Sequence, residues 1–319
     1  MRTLAFFLPK LVLAVATVAY LAHAVAWDEI VAAARTADAR WIGLALVLLP
    51  ANLGLEAYRW HRLVRRLAPE VRFRETLAAV LSGYPLGLAT PGRLGDYVGR
   101  AFYLRYTDKW ALAALTFAER MATLACSLAA GLVALVPFLL WTDLPLLAWG
   151  TVLGAAALGT LAFGYLLLHP RVARRVLALV LPERFAPHLD VLGAFDRHDA
   201  RSLLALSALR YVIFSAQFVC LVLAFDATAP LRYAVLGVVL VFFAKSAIPS
   251  FTLADLGIRE GAAIYFLGTL GVAEAAAFNA AFLLFCINLL LPSLAGLPLI
   301  LKLRFASAEA EPATIEARS

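Results

Sequence analysis

Charge is scarce in this sequence: Asp, Glu, Lys and Arg make up only 15% of the 319 residues, whereas 63% are hydrophobic. A soluble domain usually carries about 25% charged residues. Several apolar runs reach about 18 residues, the length that crosses roughly 30 Å of hydrocarbon at 1.5 Å per residue. This composition excludes an ordinary soluble domain and predicts an all-α, polytopic helical membrane protein.

Motifs for cofactors, metals and covalent catalysis are missing from the sequence. The three cysteines, Cys126, Cys220 and Cys286, lie inside apolar runs, and the five histidines are scattered. Neither set has the spacing of a metal motif. The sequence also contains no Walker loop, no GxSxG and no HExxH. We therefore expect no cofactor, no bound metal and no enzyme activity.

Basic residues are concentrated in two segments. The net charge is +7, and residues 59–75 (RWHRLVRRLAPEVRFRE) and 169–201 each contain six arginines. Basic loops of membrane proteins face the cytoplasm, where they meet anionic lipid headgroups. We therefore expect lipids rather than nucleic acid as partners. The same rule predicts that the N-terminus and the C-terminus of this multi-pass protein lie in the cytoplasm. We expect the bacterial inner (plasma) membrane as its location.

Hydropathy predicts one membrane domain over residues 1–306, followed by a disordered polar tail over 307–319. The domain is expected to hold about six full spans and two broken or re-entrant helical segments, about eight segments in all, with a weak repeat between its two halves. The apolar runs lie at about 4–27, 41–58, 117–141, 144–168, 202–225, 233–248 and 278–302.

The first broken segment is inferred from the number of times that the chain crosses the membrane between the two basic segments. Two spans form a hairpin before the second basic segment, so both ends of that hairpin lie on the side of the basic segments. The chain between the first basic segment and Trp110 must therefore enter the membrane and return, and Pro91 and Gly92 supply the break. Non-helical backbone at this depth has to be buried in protein or line a wet cavity. A second broken segment, IPSFTLADLGIREGAAIYFLG, covers residues 248–268.

Charged residues in and beside these segments are the candidate substrate-binding residues, because charges inside a bilayer cost several kcal/mol unless they are paired or hydrated. Helical spacing predicts Arg93, Asp96 and Arg100 on one face, with Arg93 or Arg100 as the partner of Glu119 at the start of a span. The alternatives are contacts with bulk headgroups and, at Asp255 and Arg259, a structural ion pair. The full candidate set is Arg93, Asp96, Arg100, Glu119, Arg120, Arg210, Lys245, Asp255, Arg259 and Glu260.

Glu56 and Arg59 receive a different interpretation. They are spaced i, i+3 at the end of an apolar run, which is typical of an interfacial pair, and we interpret them as structural.

The motifs TPGRLGDYVGRA, AERMA and LGIREGA, with a spanning arginine before the last, resemble those of the flippase-like membrane family. This family includes the transmembrane region of lysylphosphatidylglycerol synthase, and the resemblance covers about residues 5–305. Asp96 stands where the family usually has Glu, and SFTLAD replaces the Gly/Pro-rich lead into the last motif. The soluble aminoacyl-transferase domain of two-part members has no counterpart here. The resemblance implies movement of lipids between leaflets.

We therefore expect an arginine-lined intramembrane cavity that translocates an anionic phospholipid, an aminoacyl-phospholipid or a polyprenyl lipid or glycolipid. One alternative is an accessory protein that binds a lipid or docks a cytoplasmic lipid-modifying or glycosyl-transferring enzyme through its basic loops. Another is an intramembrane enzyme acting on a lipid phosphate, for which Asp96 and Glu119 are the only candidate acid–base pair.

Overall fold

The protein is all-helical in the residues that its computed structural model describes, which are 27–90, 92–104, 108–142, 146–169, 172, 175–176, 197–248 and 257–300. These ranges hold ten α-helices: α1 (Trp27–Arg35), α2 (Ala39–Val64), α3 (Phe73–Leu88), α4 (Leu94–Tyr103), α5 (Lys109–Trp141), α6 (Leu146–Leu168), α7 (Arg197–Phe225), α8 (Leu231–Ala247), α9 (Ile258–Thr269) and α10 (Glu274–Phe285). A short π-helix, Cys286–Leu290, continues α10.

Five helical stretches in the described residues are long and apolar enough to cross a membrane: Ala39–Val64, Lys109–Trp141, Gly150–Leu168, Arg197–Phe225 and Glu274–Ile300. The last stretch consists of α10, the π-helix and the helical residues 291–300. This confirms a polytopic helical membrane protein. The predicted first span at 4–27 lies outside the described residues except for Trp27, which begins α1, and the predicted tail at 307–319 lies outside them entirely.

Helix α5 begins eight residues before the predicted start at 117. Asp108 precedes it, and its Oδ1 atom accepts hydrogen bonds from the backbone N–H groups of Trp110 and Ala111, both at 3.0 Å. This N-cap satisfies donors that a helix end otherwise leaves free. Glu119 and Arg120 therefore lie about three turns inside the helix rather than at its first turn.

The predicted break in the first polar segment is confirmed. Helices α3 and α4, of 16 and 10 residues, form a hairpin, and at 1.5 Å per residue neither reaches the roughly 30 Å of a bilayer core. They are joined at 89–93, where Gly92 and Arg93 both have positive φ angles, 57° and 56°. The helices touch through glycine: a Cβ atom at Gly99 would lie 2.6 Å from the Cα of Gly83.

The second broken segment has a similar form in its described part. Helix α8 ends at Ala247, and α9 starts after Gly257, whose φ is 92°, and has only 12 residues. Residues 249–256 between them lie outside the described residues.

Helices α2 and α7 run antiparallel and share polar contacts along their whole length, here called the α2–α7 seam. At one end the N–H of Asp38 donates to the carbonyl of Ala224 at 2.8 Å. At the other end Arg66 is bonded to Asp199 at 2.5 Å. Between these ends lie Gln217 with the carbonyl of Ala45, Asn52 with Gln217, Glu56 with Arg210, Arg59 with Ser207 and Arg62 with Ser202.

Candidate functional site

A cavity of about 520 Å³ lies where the two broken segments meet the long helices. Eight of the ten candidate residues line it: Arg93, Asp96, Arg100, Glu119, Arg120, Arg210, Lys245 and Arg259. Glu260 is fully buried beside Arg259. Asp255, the tenth, lies outside the described residues. Arg93 and Arg259 are 166 positions apart in the sequence, yet both line this cavity. The polar side chains that line it are called the cavity wall below.

Arg100 is the centre of this wall. Its guanidinium is only 2% exposed and contacts three carboxylates, those of Glu56, Asp96 and Glu119. Nε donates to Asp96 Oδ1 at 2.8 Å, Nη1 donates to Glu119 Oε2 at 2.7 Å, and Nη2 donates to Glu56 and, at 3.1 Å, to Asp96 Oδ2. A guanidinium presents its donors in a planar fork, which lets one side chain hold several carboxylates at once.

Each of the three carboxylates also has a second arginine. Asp96 Oδ2 accepts from Arg120 Nη2 at 2.6 Å, and Glu119 Oε1 accepts from Arg59 Nη2 at 2.6 Å. Glu56 Oε2 accepts from Arg210 Nη2 at 2.7 Å and from the hydroxyl of Tyr84 at 2.8 Å. The arrangement is a closed network, here called the carboxylate–arginine network, in which no carboxylate is left with a single partner. Buried charges are tolerated when they are paired and hydrogen-bonded in this way.

The interpretation of Glu56 and Arg59 as an interfacial pair is wrong. Both are buried, both line the cavity, and their partners are Arg100, Arg210 and Glu119 on other helices. The reason is that α2 extends to Val64, well past the predicted end at 58, so that both residues lie within the helix rather than at its end.

Arg93 is held differently from the other arginines. It is the residue before α4 and has a left-handed backbone, so it does not continue the helical face of Asp96 and Arg100 as its spacing predicted. Its guanidinium lies 4.9 Å from the ring centre of Tyr84. The Nε and Nη2 atoms are buried without a hydrogen-bond partner among the described residues. Left-handed backbone is uncommon for non-glycine residues and is strained, a cost that is often found at functional sites.

Other arginines of the cavity also keep donors unused. The Nε atoms of four of them are buried and have no hydrogen-bond partner within the described ranges: Arg59, Arg120, Arg210 and Arg259. Arg259 donates from Nη2 to Glu260 Oε1 at 2.6 Å, and Glu260 Oε2 accepts from the N–H of Gly257 at 2.7 Å. Glu260 thus both closes the start of α9 and orients Arg259 along the cavity wall.

A group of neutral amides was missed by the sequence reasoning. Asn52 Nδ2 donates to Asn288 Oδ1 at 2.7 Å and to Gln217 Oε1 at 3.4 Å. Asn288 lies in the π-helix and lines the cavity. π-helical segments inside α-helices are frequent at functional sites. Asn52 could have indicated this group, because it is a polar residue within an apolar run and lies one helical turn before Glu56.

The electrostatics of the cavity favour an anion. Six arginines and three carboxylates line it together with Lys245, and Glu260 lies behind Arg259, so arginines outnumber carboxylates among the described residues. In a site screened from bulk water, unneutralised positive charge is costly and attracts anionic ligands. The described part of the chain contains no group of three or more His, Cys, Asp or Glu residues that could hold a metal ion.

Comparison with known proteins identifies the family of this chain. No curated protein matches the chain. A protein-family model described as "Lysylphosphatidylglycerol synthase TM region" matches residues 7–296, which is nearly the whole sequence. The chain therefore belongs to the lysylphosphatidylglycerol synthase TM region family.

Proposed function

We propose that the protein moves lipids with anionic headgroups between the two leaflets of a membrane. The observation that carries this proposal is the cavity of about 520 Å³ with seven basic and three acidic side chains, in which several guanidinium donors have no partner among the described residues. A phosphate or phosphodiester group supplies the oxygen acceptors that these donors lack.

The physical need for such a cavity is large. A headgroup phosphate cannot cross hydrocarbon without losing its hydration, and an isolated charge in a medium of low dielectric constant is strongly unfavourable. Arginines replace that hydration along the way, while the acyl or isoprenoid chains stay in the lipid. A volume of about 520 Å³ lies within the range of roughly 300–1,000 Å³ that is usual for small-molecule sites, enough for a headgroup but not for its chains.

The arginines divide into two roles under this proposal. Arg100 is committed to three carboxylates and holds the helices together. Arg93 contacts the headgroup, because its buried Nε and Nη2 atoms have no hydrogen-bond partner among the described residues. The remaining arginines serve both roles, since each donates from Nη2 to a carboxylate and has a buried Nε atom without a partner in the described ranges: Arg59, Arg120, Arg210 and Arg259.

Family membership supports a phospholipid or aminoacyl-phospholipid as the cargo, because the family is named after the enzyme that makes lysylphosphatidylglycerol. A polyprenyl lipid or glycolipid carries the same phosphate chemistry and remains within the proposal. We place the protein in the bacterial inner membrane with its basic segments in the cytoplasm.

We propose no catalytic step. Asp96 and Glu119 each accept hydrogen bonds from two arginines, so the oxygen atoms of both carboxylates are already occupied by ion pairs. This arrangement supports binding rather than acid–base chemistry.

Translocation in reconstituted liposomes tests the proposal. The liposomes carry fluorescent phosphatidylglycerol in both leaflets, and a reagent added outside bleaches the outer leaflet. The assay then measures the rate at which the fluorescence of the inner leaflet is lost. We expect Arg93→Gln to slow this rate by about tenfold or more, the effect of losing a hydrogen bond between charged groups worth 1.5–3 kcal/mol. Arg40→Gln, which removes the same charge from an exposed position at the other end of α2, should leave the rate unchanged. Wild-type protein that is no faster than empty liposomes, or equal rates for the wild type and Arg93→Gln, contradicts the proposal.

A further inference from the structure

A second, smaller space lies between the C-terminal end of α2 and the N-terminal start of α7. This crevice has a volume of about 30 Å³. Three arginines and one carboxylate face it. Its lining residues are Arg59, Arg62, Leu63, Arg66, Asp199, Ser202, Leu203 and Leu206.

The three arginines form a line from the protein surface to the cavity. Arg59 and Arg62 lie about one turn apart on α2, Arg66 lies in the turn that follows Val64, and all three line the crevice. The Arg66 side chain is 57% exposed, Arg62 is exposed, and the Arg59 side chain is only 1% exposed. Arg59 lines both the crevice and the large cavity, so its guanidinium separates the two spaces. An anion bound at Arg62 and Arg66 is therefore one side chain away from the cavity.

Two side chains of α7, Asp199 and Ser202, close the crevice by bonding its arginines. Arg66 Nη2 is bonded to Asp199 Oδ1 at 2.5 Å, and Arg62 Nη1 donates to the hydroxyl of Ser202. A volume of about 30 Å³ holds about one water molecule, so a headgroup does not fit while these contacts are present. The Asp199 carboxylate occupies the position on Arg66 that a phosphate oxygen would take, and the crevice opens if that carboxylate is displaced.

We propose that this crevice is the entry site for the phosphate of an anionic lipid headgroup, which displaces Asp199 from Arg66, binds Arg62, Arg66 and the hydroxyl of Ser202, and then passes Arg59. Only the last step rests on the proposed translocation. A lipid is favoured over a soluble phosphate because the crevice lies at the ends of two membrane spans, Ala39–Val64 and Arg197–Phe225, where headgroups are found.

Protection of a cysteine placed at Ser202 tests the entry site without requiring transport. The protein carries Ser202→Cys in a background where Cys126, Cys220 and Cys286 are alanine, and a water-soluble maleimide labels it in lipid nanodiscs. We expect phosphatidylglycerol nanodiscs to slow labelling by about tenfold relative to phosphatidylcholine nanodiscs, the equivalent of about 1.4 kcal/mol of binding. Adding Arg62→Gln and Arg66→Gln should remove this protection.

Arg65→Gln is the matched control, because Arg65 lies on the same turn and is exposed but does not line the crevice. It should keep the full protection. Equal labelling of all variants in phosphatidylcholine nanodiscs shows that they fold alike. The proposal is overturned if phosphatidylglycerol gives no protection, or if Arg62→Gln with Arg66→Gln leaves protection intact. Equal protection by inorganic phosphate at matched ionic strength overturns the assignment to a lipid. Protection of the Ser202→Cys protein, together with a wild type that does not move lipid, contradicts the translocation alone.

Discussion

Three buried carboxylates meet at the guanidinium of Arg100, so replacing this residue tests what holds the cavity together. Arg100→Gln removes the four hydrogen bonds that Arg100 donates to Glu56, Asp96 and Glu119. Glutamine is shorter, uncharged and has one amide group in place of the fork. The change therefore leaves negative charge at the centre of the carboxylate–arginine network without its shared partner.

The expected loss of stability depends on the ion pairs that the three carboxylates keep. Removing one partner of a buried ion pair costs about 3–5 kcal/mol. Three carboxylates are affected here, but each keeps a second arginine: Asp96 keeps Arg120, Glu119 keeps Arg59 and Glu56 keeps Arg210. The loss should therefore be that of one broken pair, about 3–5 kcal/mol in the free energy of unfolding, rather than three times that value.

Equilibrium unfolding in mixed micelles, followed by circular dichroism, measures this loss. Arg93→Gln is the comparison variant: it also removes an arginine from the cavity wall, but no ion-paired carboxylate among the described residues loses a partner, so its cost should stay below about 1 kcal/mol. Adding Glu119→Gln to Arg100→Gln also removes the carboxylate that pairs with the buried Arg59, so the double variant should be less stable than Arg100→Gln alone. The reasoning is refuted if Arg100→Gln is as stable as Arg93→Gln, or if the double variant is more stable than Arg100→Gln alone.

Two further outcomes follow from backbone contacts and from a loop carboxylate. Gly99→Ala should destabilise the α3–α4 hairpin by about 1–3 kcal/mol in the same unfolding assay, because its Cβ would lie 2.8 Å from the carbonyl oxygen of Ser82. The control is Gly43→Ala, whose Cβ would have no atom within 4 Å and which should not destabilise the protein. Partial burial raises the pKa of Asp226, but hydrogen bonds from Thr228 and the N–H of Ala273 outweigh it and hold that pKa below its usual range. The stability that wild type gains over Asp226→Asn should therefore be complete above about pH 4 and disappear as the pH falls further, and a difference that persists at lower pH contradicts this.

Much of the fold could be predicted from local patterns. Pro91 and Gly92 interrupt an apolar segment, and the number of crossings between the two basic segments requires that segment to return. The same reasoning identified most of the cavity wall, because a charge inside an apolar run needs a partner or a ligand. Helix ends were less accurate, since the N-cap at Asp108 and the extension of α2 to Val64 depend on single side chains and on tertiary packing.

The sequence could not show which charges meet. Glu56 and Arg210 are 154 residues apart, and Arg59 and Glu119 are 60 apart, so their pairing depends on how α2 packs against α5 and α7. Without that packing, an i, i+3 pair at the end of an apolar run is indistinguishable from an interfacial one. The left-handed backbone of Arg93 was likewise hidden, because the helical spacing of its neighbours predicted a helix.

The polar face of α2 has a consequence for how the protein is made. Asn52, Glu56 and Arg59 enter the membrane with the first span that the structure describes, long before Arg210 on α7 is synthesised. Charged residues near the middle of an inserting helix are unfavourable by about 2.5–3.5 kcal/mol each. Helix α2 should therefore be held at the insertion machinery or the lipid surface until α7 emerges, and its stable integration becomes a late event of biogenesis that depends on a helix from the other half of the chain.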